Sequence, residues 1–171
     1  NTEKIGKFPE RSKPISVRCP LTRIPGALDY DEIYENLSQL NLSIYTPSAF
    51  IHDSKIPKYE EKYDTKVRNT SFRQIDRENS LRFLMRTNLL KRLESSVHAF
   101  RLTVGKILGN ISRTIDQIER FKTEGSIEFN GKSVSEDFDL DDQNYDLFMT
   151  FGKVSIDLRD MDYKSWLDDL T

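Results

Sequence analysis

The chain has 171 residues, of which 36% are hydrophobic and 32% charged, so it can bury a substantial core and carries too many large apolar residues to be disordered throughout. No apolar run approaches the roughly 18 residues of a membrane span, and the single cysteine, Cys19, excludes an intramolecular disulfide. These features predict one globular domain in a reducing, cytoplasmic location.

The charges are unevenly distributed along the chain. Residues 1–123 contain 22 Lys and Arg against 15 Asp and Glu, whereas residues 124–171 contain 4 against 13. A basic body followed by an acidic tail is typical of some nucleic-acid-binding proteins. The same distribution also arises where the tail folds back on the basic helices, or where both parts are solvated.

The first 26 residues are predicted to be an extended lead-in, because they hold four prolines and little helical period. Within them the apolar residues alternate, which favours an edge strand flanked by proline; these residues are Ile15, Val17, Cys19 and Leu21.

The first helix is predicted near 29–45. Its apolar positions recur at intervals of three and four, at Ile33, Leu37, Leu40 and Ile44. Asp29 or Asp31 would cap its start, Pro47 would end it, and Ser48 would cap a short following turn. Residues 52–72 are polar and unpatterned, which predicts a loop.

A long helix, interrupted once, is predicted over 73–123. From Leu89 one face stays apolar for about eight turns, through Leu89, Leu93, Val97, Phe100, Val104, Ile107, Ile111, Ile115 and Ile118. Extending that face backwards would place Arg82 and Arg86 on it, so a break is predicted near Thr87-Asn88. Gly105 and Gly109, four residues apart, would allow another helix to approach closely.

The acidic tail, 124–171, is predicted to contain two small elements. Asn130-Gly131 lies between short apolar runs, which predicts a β-hairpin near 126–135. A short final helix would carry the only tryptophan, Trp166. The predicted fold is therefore mainly α, a helical bundle in one domain with an extended lead-in (1–26), a helical body (29–123) and a variable tail.

No catalytic, cofactor-binding or metal-binding residue is predicted in this chain. The run "GSIEFNGKS" has five residues between its glycines where a phosphate-binding loop has four. His52 and His98 have no Cys or carboxylate at ligand spacing.

The segment "RENSLRFLMRTNLLKRLESSVHAFRLTVGKIL" resembles the region between the two RecA-like motor lobes of bacterial superfamily 2, chromatin-remodeller-like ATP-dependent helicases, some of which carry a phospholipase-D-like domain. "KFPERSKPI" and "YDEIYENLSQLNLSIYTPSAFI" look like the stretch after the first lobe, and "YKSWLDDL" like the approach to the second. The resemblance touches most of residues 7–122, is best over 77–104 and is weak over 124–160.

The resemblance implies a non-catalytic helical insert of a larger helicase, and the first residue, Asn1 instead of Met, agrees with a fragment. ATP and Mg would bind to the motor lobes, because no position here matches their nucleotide-binding Lys, acidic pair or arginine finger. The expected partners are those lobes and DNA, with no membrane. The candidate contacts are Arg82, Arg86, Lys91, Arg92, Ser95, Ser96 and Arg101.

Other interpretations of the same residues remain open. The cations can be ordinary surface charge, for example Lys91 paired with Glu94 one helical turn away. The whole chain can be a stand-alone helical adaptor that binds a protein through an exposed apolar stripe. It can also be an enzyme whose residues converge only in three dimensions.

Overall fold

A computed structural model describes residues 12–16, 24–67, 70–125, 127–135 and 150–171 of the chain. The described part is mainly helical with two small antiparallel strand pairs, which confirms the predicted fold class. Its α-helices are α1 (Tyr30–Gln39), α2 (Ile56–Tyr63), α3 (Gln74–Ser95), α4 (Val97–Glu124), α5 (Lys132–Ser135) and α6 (Tyr163–Leu170). Its strands are β1 (Thr65–Val67), β2 (Thr70–Phe72), β3 (Glu128–Asn130) and β4 (Ser155–Asp157).

The start of α1 follows from its local sequence. The Asp29 carboxylate accepts a hydrogen bond from the Glu32 amide at 2.8 Å, and the Glu32 carboxylate accepts one from the Asp29 amide at 2.7 Å. This reciprocal pair satisfies backbone donors that the first turn leaves free, so the predicted cap at Asp29 is confirmed.

The end of α1 differs from the prediction, because the helix stops at Gln39 instead of continuing to 45. Leu42 takes a left-handed backbone conformation (φ 50°), and a 3₁₀ turn over Ser43–Tyr45 follows it. Ile44 and Tyr45 in this turn are both completely buried, because α3, α4 and α6 all pack against it.

The prediction of a loop over 52–72 is wrong. This region forms α2 and the antiparallel pair β1–β2. The sequence of α2 shows no apolar stripe, because hydrogen bonds from its polar side chains attach much of this helix to the rest of the chain. The Tyr59 hydroxyl donates to the Asp160 carboxylate at 3.0 Å, the Lys58 ammonium donates to the same carboxylate at 2.6 Å, and the Tyr63 hydroxyl donates to the Ser155 carbonyl at 2.8 Å.

The predicted break near Thr87-Asn88 is also wrong, since α3 runs through it and the break falls at Ser96. The buried stripe of α3 consists of Gln74, Glu78, Leu81, Met85, Leu89 and Leu93. Its first two members are polar. A stripe that is drawn through apolar residues alone therefore misses the buried face in the first half of α3. Arg82 and Arg86 flank the stripe and are half-buried.

Helix α4 folds back along α3 after the break. Glu78, near the start of α3, binds Ser48 in the second 3₁₀ turn (Pro47–Phe50), and that turn contacts α6. Phe121, near the end of α4, packs against Tyr163 in α6, with ring centroids 5.2 Å apart. Collinear helices would separate Glu78 from Phe121 by roughly 60 Å, so the chain must reverse between them.

Strand β3 lies in the region predicted for the hairpin, but its partner is distant. It pairs with β4, with Phe129 opposite Ile156. Asn130-Gly131 leads into the short helix α5 instead of a tight turn to a neighbouring strand. The predicted turn is therefore replaced by a longer connection, of which residues 136–149 lie outside the described part.

The final helix, α6, is confirmed, and its Trp166 is at the centre of the core. The indole is completely buried, donates to the Ser43 carbonyl at 3.1 Å and packs edge-on against Phe129, with ring centroids 5.0 Å apart. Contacts from α3, α4 and α6 converge on the Ser43–Tyr45 turn. A short connecting turn, and not a helix, is thus the element around which the helices pack.

Two further predictions concern the N-terminal segment and the two glycines of α4. Residues 12–16 are exposed and form no regular element, and the rest of the strand predicted there lies outside the described residues. Gly105 and Gly109 are exposed, and a Cβ added to either would meet no atom within 4 Å among the described residues. The predicted close helix approach at these glycines is therefore absent from the described part.

Candidate functional site

The reversal between α3 and α4, which we call the elbow (Ser95, Ser96 and Val97), gathers most of the sequence-predicted site residues. Ser96 is extended (φ −165°, ψ 124°), and its hydroxyl accepts a hydrogen bond from the Ala99 amide at 3.4 Å. It is therefore the N-cap of α4. Ser95 is exposed at the last position of α3.

Three predicted cations lie within two helical turns of the elbow. Lys91 and Arg101 are exposed, and Arg92 is half-buried. Arg101 lines a shallow depression on α4 whose other described lining residues are His98, Leu102, Gly105 and Lys106. The surface around the elbow therefore carries positive charge beside a shallow depression.

Arg82 and Arg86 are directed elsewhere. The Arg86 guanidinium donates to the Leu40 carbonyl, which is the C-cap of α1, and Arg82 donates to the Asn41 side chain at 3.5 Å. A cation at a helix C-terminus satisfies free carbonyls and interacts favourably with the helix dipole. These two arginines thus hold α1 against α3, and the structure separates them from the three cations near the elbow.

The sequence interpretation did not include His98 and Lys106 among the site residues. Both are exposed and lie beside Arg101 on the face of α4 opposite its buried stripe. The signal that could have found them is helical spacing: positions 98, 101, 102, 105 and 106 share one side of a helix.

Large apolar side chains are also exposed on α4. Val97, Leu102 and Leu108 expose 61%, 56% and 58% of their surface. Single exposed apolar residues are ordinary on protein surfaces. Val97 and Leu108 share one side of α4 with Arg101, whereas Leu102 lies about 120° around the helix, so the first two offer a protein partner apolar contact area.

A second polar cluster lies at the other end of α3, around the carboxylate of Glu78. Glu78 is completely buried; the Ser48 amide and hydroxyl donate to it at 2.9 and 2.7 Å, and the Gln74 amide nitrogen donates at 3.1 Å. Burial raises the pKa of Glu78 to about 7, although these hydrogen bonds oppose the shift. No pattern in the sequence singles out this residue, because its partner Ser48 lies 30 residues away.

The described residues contain no group of three or more His, Cys, Asp or Glu side chains arranged to hold a metal ion. Nor does any described helix have the length and apolar composition required to cross a bilayer. No protein-family model matches this chain, and no curated protein and no solved structure shows significant similarity to it.

Proposed function

We propose that the chain is a non-catalytic helical insert of an ATP-dependent DNA helicase or translocase that works in the cytoplasm. In this proposal the elbow contacts the nucleic-acid backbone or a RecA-like motor lobe, and ATP and Mg bind to the lobes. The observation that carries the proposal is the position of the exposed cations Lys91 and Arg101, which lie inside the segment that resembles such helicases most, 77–104.

The structure narrows the set of proposed contacts. Arg82 and Arg86 bind the chain's own α1 end, so their first role is structural. Ser96 caps α4 by accepting from the Ala99 amide, which leaves its hydroxyl hydrogen to donate to a phosphate. Lys91, Arg92 and Arg101, together with Ser95 and Ser96, remain as the proposed contacts, with Lys106 and His98 beside them. Cations of this kind bind phosphates without reading the base sequence.

Fluorescence anisotropy with a short duplex and a single strand, over a range of salt concentrations, tests the proposal. The Lys91→Ala/Arg101→Ala variant should weaken binding and reduce the slope of log Kobs against log salt by about 2. The matched control is Arg120→Ala/Lys164→Ala, which removes the same two charges near the opposite end of α4 and should leave the slope nearly unchanged.

Two outcomes would contradict the DNA contact: no binding at low salt, or equal losses in both double variants. In a full-length protein with motor lobes, Arg92→Ala/Arg101→Ala should reduce DNA-stimulated ATP hydrolysis. An unchanged stimulation would remove the elbow from the coupling mechanism.

The exposed apolar residues of α4 favour a second candidate, a helical adaptor. An adaptor would bind a protein through the face of α4 that carries Val97 and Leu108, and it would show no salt-dependent affinity for DNA. Sedimentation of the chain with and without Val97→Ser/Leu108→Ser tests whether this face promotes association. Association that this double variant abolishes, together with an absence of DNA binding, would favour the adaptor.

A further inference from the structure

The outer face of α4 lies opposite the side of this helix that packs into the core. The buried residues of α4 include Ile107 and Ile118. A helix turns about 100° per residue, so Gly105 and Ser112 lie on the opposite side. The residues that define the outer face are all exposed, and they are His98, Arg101, Gly105, Leu108, Ser112, Asp116 and Glu119.

The two ends of the outer face differ in charge. Arg101 is a cation near the start of α4, and His98 beside it adds an N–H donor, whereas Asp116 and Glu119 carry carboxylates towards the other end. Within the described part of the chain, the side chains of Arg101 and Asp116 form no hydrogen bond or salt bridge. Glu119 binds Lys122 of the same helix through one oxygen, at 2.6 Å, which leaves its second oxygen as an acceptor.

The spacing of these four groups places them on two edges of the outer face. Arg101 and Glu119 are 18 residues apart, which is about five whole turns, so both lie on one edge. His98 and Asp116 are also 18 residues apart and share the other edge. A second α4, reversed about a two-fold axis beside residues 108–109, would place its Glu119 next to Arg101 and its Asp116 next to His98. Each pair would be offset by about 4.5 Å along the helix, which is less than one turn.

The middle of the outer face suits contact with another helix. Gly105 and Ser112 are placed symmetrically about the same axis, so each would lie opposite the other. Both are small, and a Cβ added to Gly105 would meet no described atom within 4 Å, so a second backbone can approach closely. Leu108 is 58% exposed and would pack against the Leu108 of the second copy, which removes apolar surface from water.

A two-fold interface uses the same patch on both subunits, so the patch must be complementary to itself. The outer face meets this requirement in its charges, in the size of its central residues and in their spacing. A nucleic-acid backbone is a poorer occupant, because its phosphates would be repelled by Asp116 and Glu119.

We propose that the outer face of α4 binds a second copy of the chain, as an antiparallel and two-fold symmetric helix pair. The dimer shares Leu108 with the adaptor candidate, but it requires neither a different protein nor the proposed helicase function.

Sedimentation equilibrium of the 171-residue chain without nucleic acid tests the proposal. We expect a monomer–dimer equilibrium that shifts towards monomer as salt screens the charged pairs. Leu108→Ser should weaken the dimer about tenfold, because both subunits lose the apolar contact. The matched control is Leu102→Ser, which changes an equally exposed leucine about 120° around the helix and should leave the equilibrium nearly unchanged.

Charge reversal at the two ends of the face is a sharper test. His98→Glu/Arg101→Glu makes both ends acidic, and Asp116→Arg/Glu119→Arg makes both ends basic, so neither double variant should dimerise alone. An equimolar mixture of the two should form a heterodimer, since each end then meets the opposite charge. Circular dichroism should show wild-type helix content for both variants, which separates loss of the interface from loss of the fold.

The proposal is wrong if the wild-type chain stays monomeric, if either charge-reversed variant dimerises as the wild type does, or if the two variants do not associate when mixed. Open-ended assemblies would also contradict it, because a two-fold pair is closed. None of these outcomes bears on DNA binding at the elbow, since no nucleic acid is present and Asp116 and Glu119 are not among the contacts proposed there.

Discussion

The backbone amide and the hydroxyl of Ser48 both donate to the buried carboxylate of Glu78, at 2.9 and 2.7 Å. This pair joins the second 3₁₀ turn to the start of α3 across 30 residues of chain. It fixes the position of α3, and it places an ionisable group where water does not reach.

Stability should therefore depend on pH through Glu78. Its pKa is about 7 in the folded state and 4.5 for the ordinary group, so between these values the folded chain holds a proton that the unfolded chain has lost. Raising the pH through this window lowers the free energy of unfolding, by about 3 kcal/mol once the pH is above 7. Urea unfolding at pH 5 and pH 8 measures the change.

Glu78→Gln is the reference for that measurement. Glutamine keeps the shape of the side chain and can still accept from Ser48, but it cannot ionise. Its unfolding free energy should rise relative to that of the wild type as the pH goes from 5 to 8. A constant difference between the two proteins across this range would contradict the assignment.

Ser96→Ala should cost about 0.5–1 kcal/mol, because α4 loses the side chain that caps its first turn. Ser95→Ala, one residue earlier and exposed, should change stability by less than about 0.5 kcal/mol. The midpoint of chemical unfolding distinguishes the two. Equal effects would contradict the placement of the helix break at Ser96.

Two glycine-to-alanine changes should have opposite signs. Gly109→Ala should stabilise the protein by about 0.5–1 kcal/mol, because the helix gains a better helix former and the new Cβ meets no described atom within 4 Å. Gly131→Ala should destabilise it by about 1–3 kcal/mol, because its Cβ would lie 2.3 Å from the Phe151 carbonyl oxygen. Thermal unfolding of both variants is the measurement. Stabilisation by Gly131→Ala would contradict the close approach.

Trp166→Phe should cost about 2 kcal/mol, through lost packing volume and the loss of the indole hydrogen bond to the Ser43 carbonyl, which keeps only its bonds from Thr46. Phe83→Ala, which removes an aromatic ring that is 73% exposed, should cost less than about 0.5 kcal/mol. Denaturant unfolding followed by circular dichroism compares the two. Similar losses would mean that Trp166 does not occupy the core position described above.

Local signals in the sequence predicted several elements well. The Asp29 cap, the apolar period over the second half of α3 and over α4, and the final helix around Trp166 all depend on residues within a few turns of one another. Short-range hydrogen bonds and amphipathic spacing depend only on neighbouring residues, so these elements can be predicted without knowing how the rest of the chain folds.

The candidate site was predicted in part. Sequence placed Lys91, Arg92 and Arg101 off the apolar stripe, and they lie outside the core. It also included Arg82 and Arg86, whose partners Asn41 and Leu40 are more than 40 residues away. Whether a cation faces solvent or binds a helix end depends on which helix packs beside it.

The sequence by itself therefore determined the helical class, the first helix cap and most of the apolar face from Leu89 to Ile118, in which Val97 alone is exposed, because each depends on nearby residues. The tertiary structure alone decided that polar Gln74 and Glu78 belong to a buried face, since Ser48 must be brought against them. It likewise decided that β3 pairs with β4 and that Tyr59 holds α2 through Asp160. Burial of a polar group is favourable only when a distant partner completes its hydrogen bonds, and no local pattern encodes that partner.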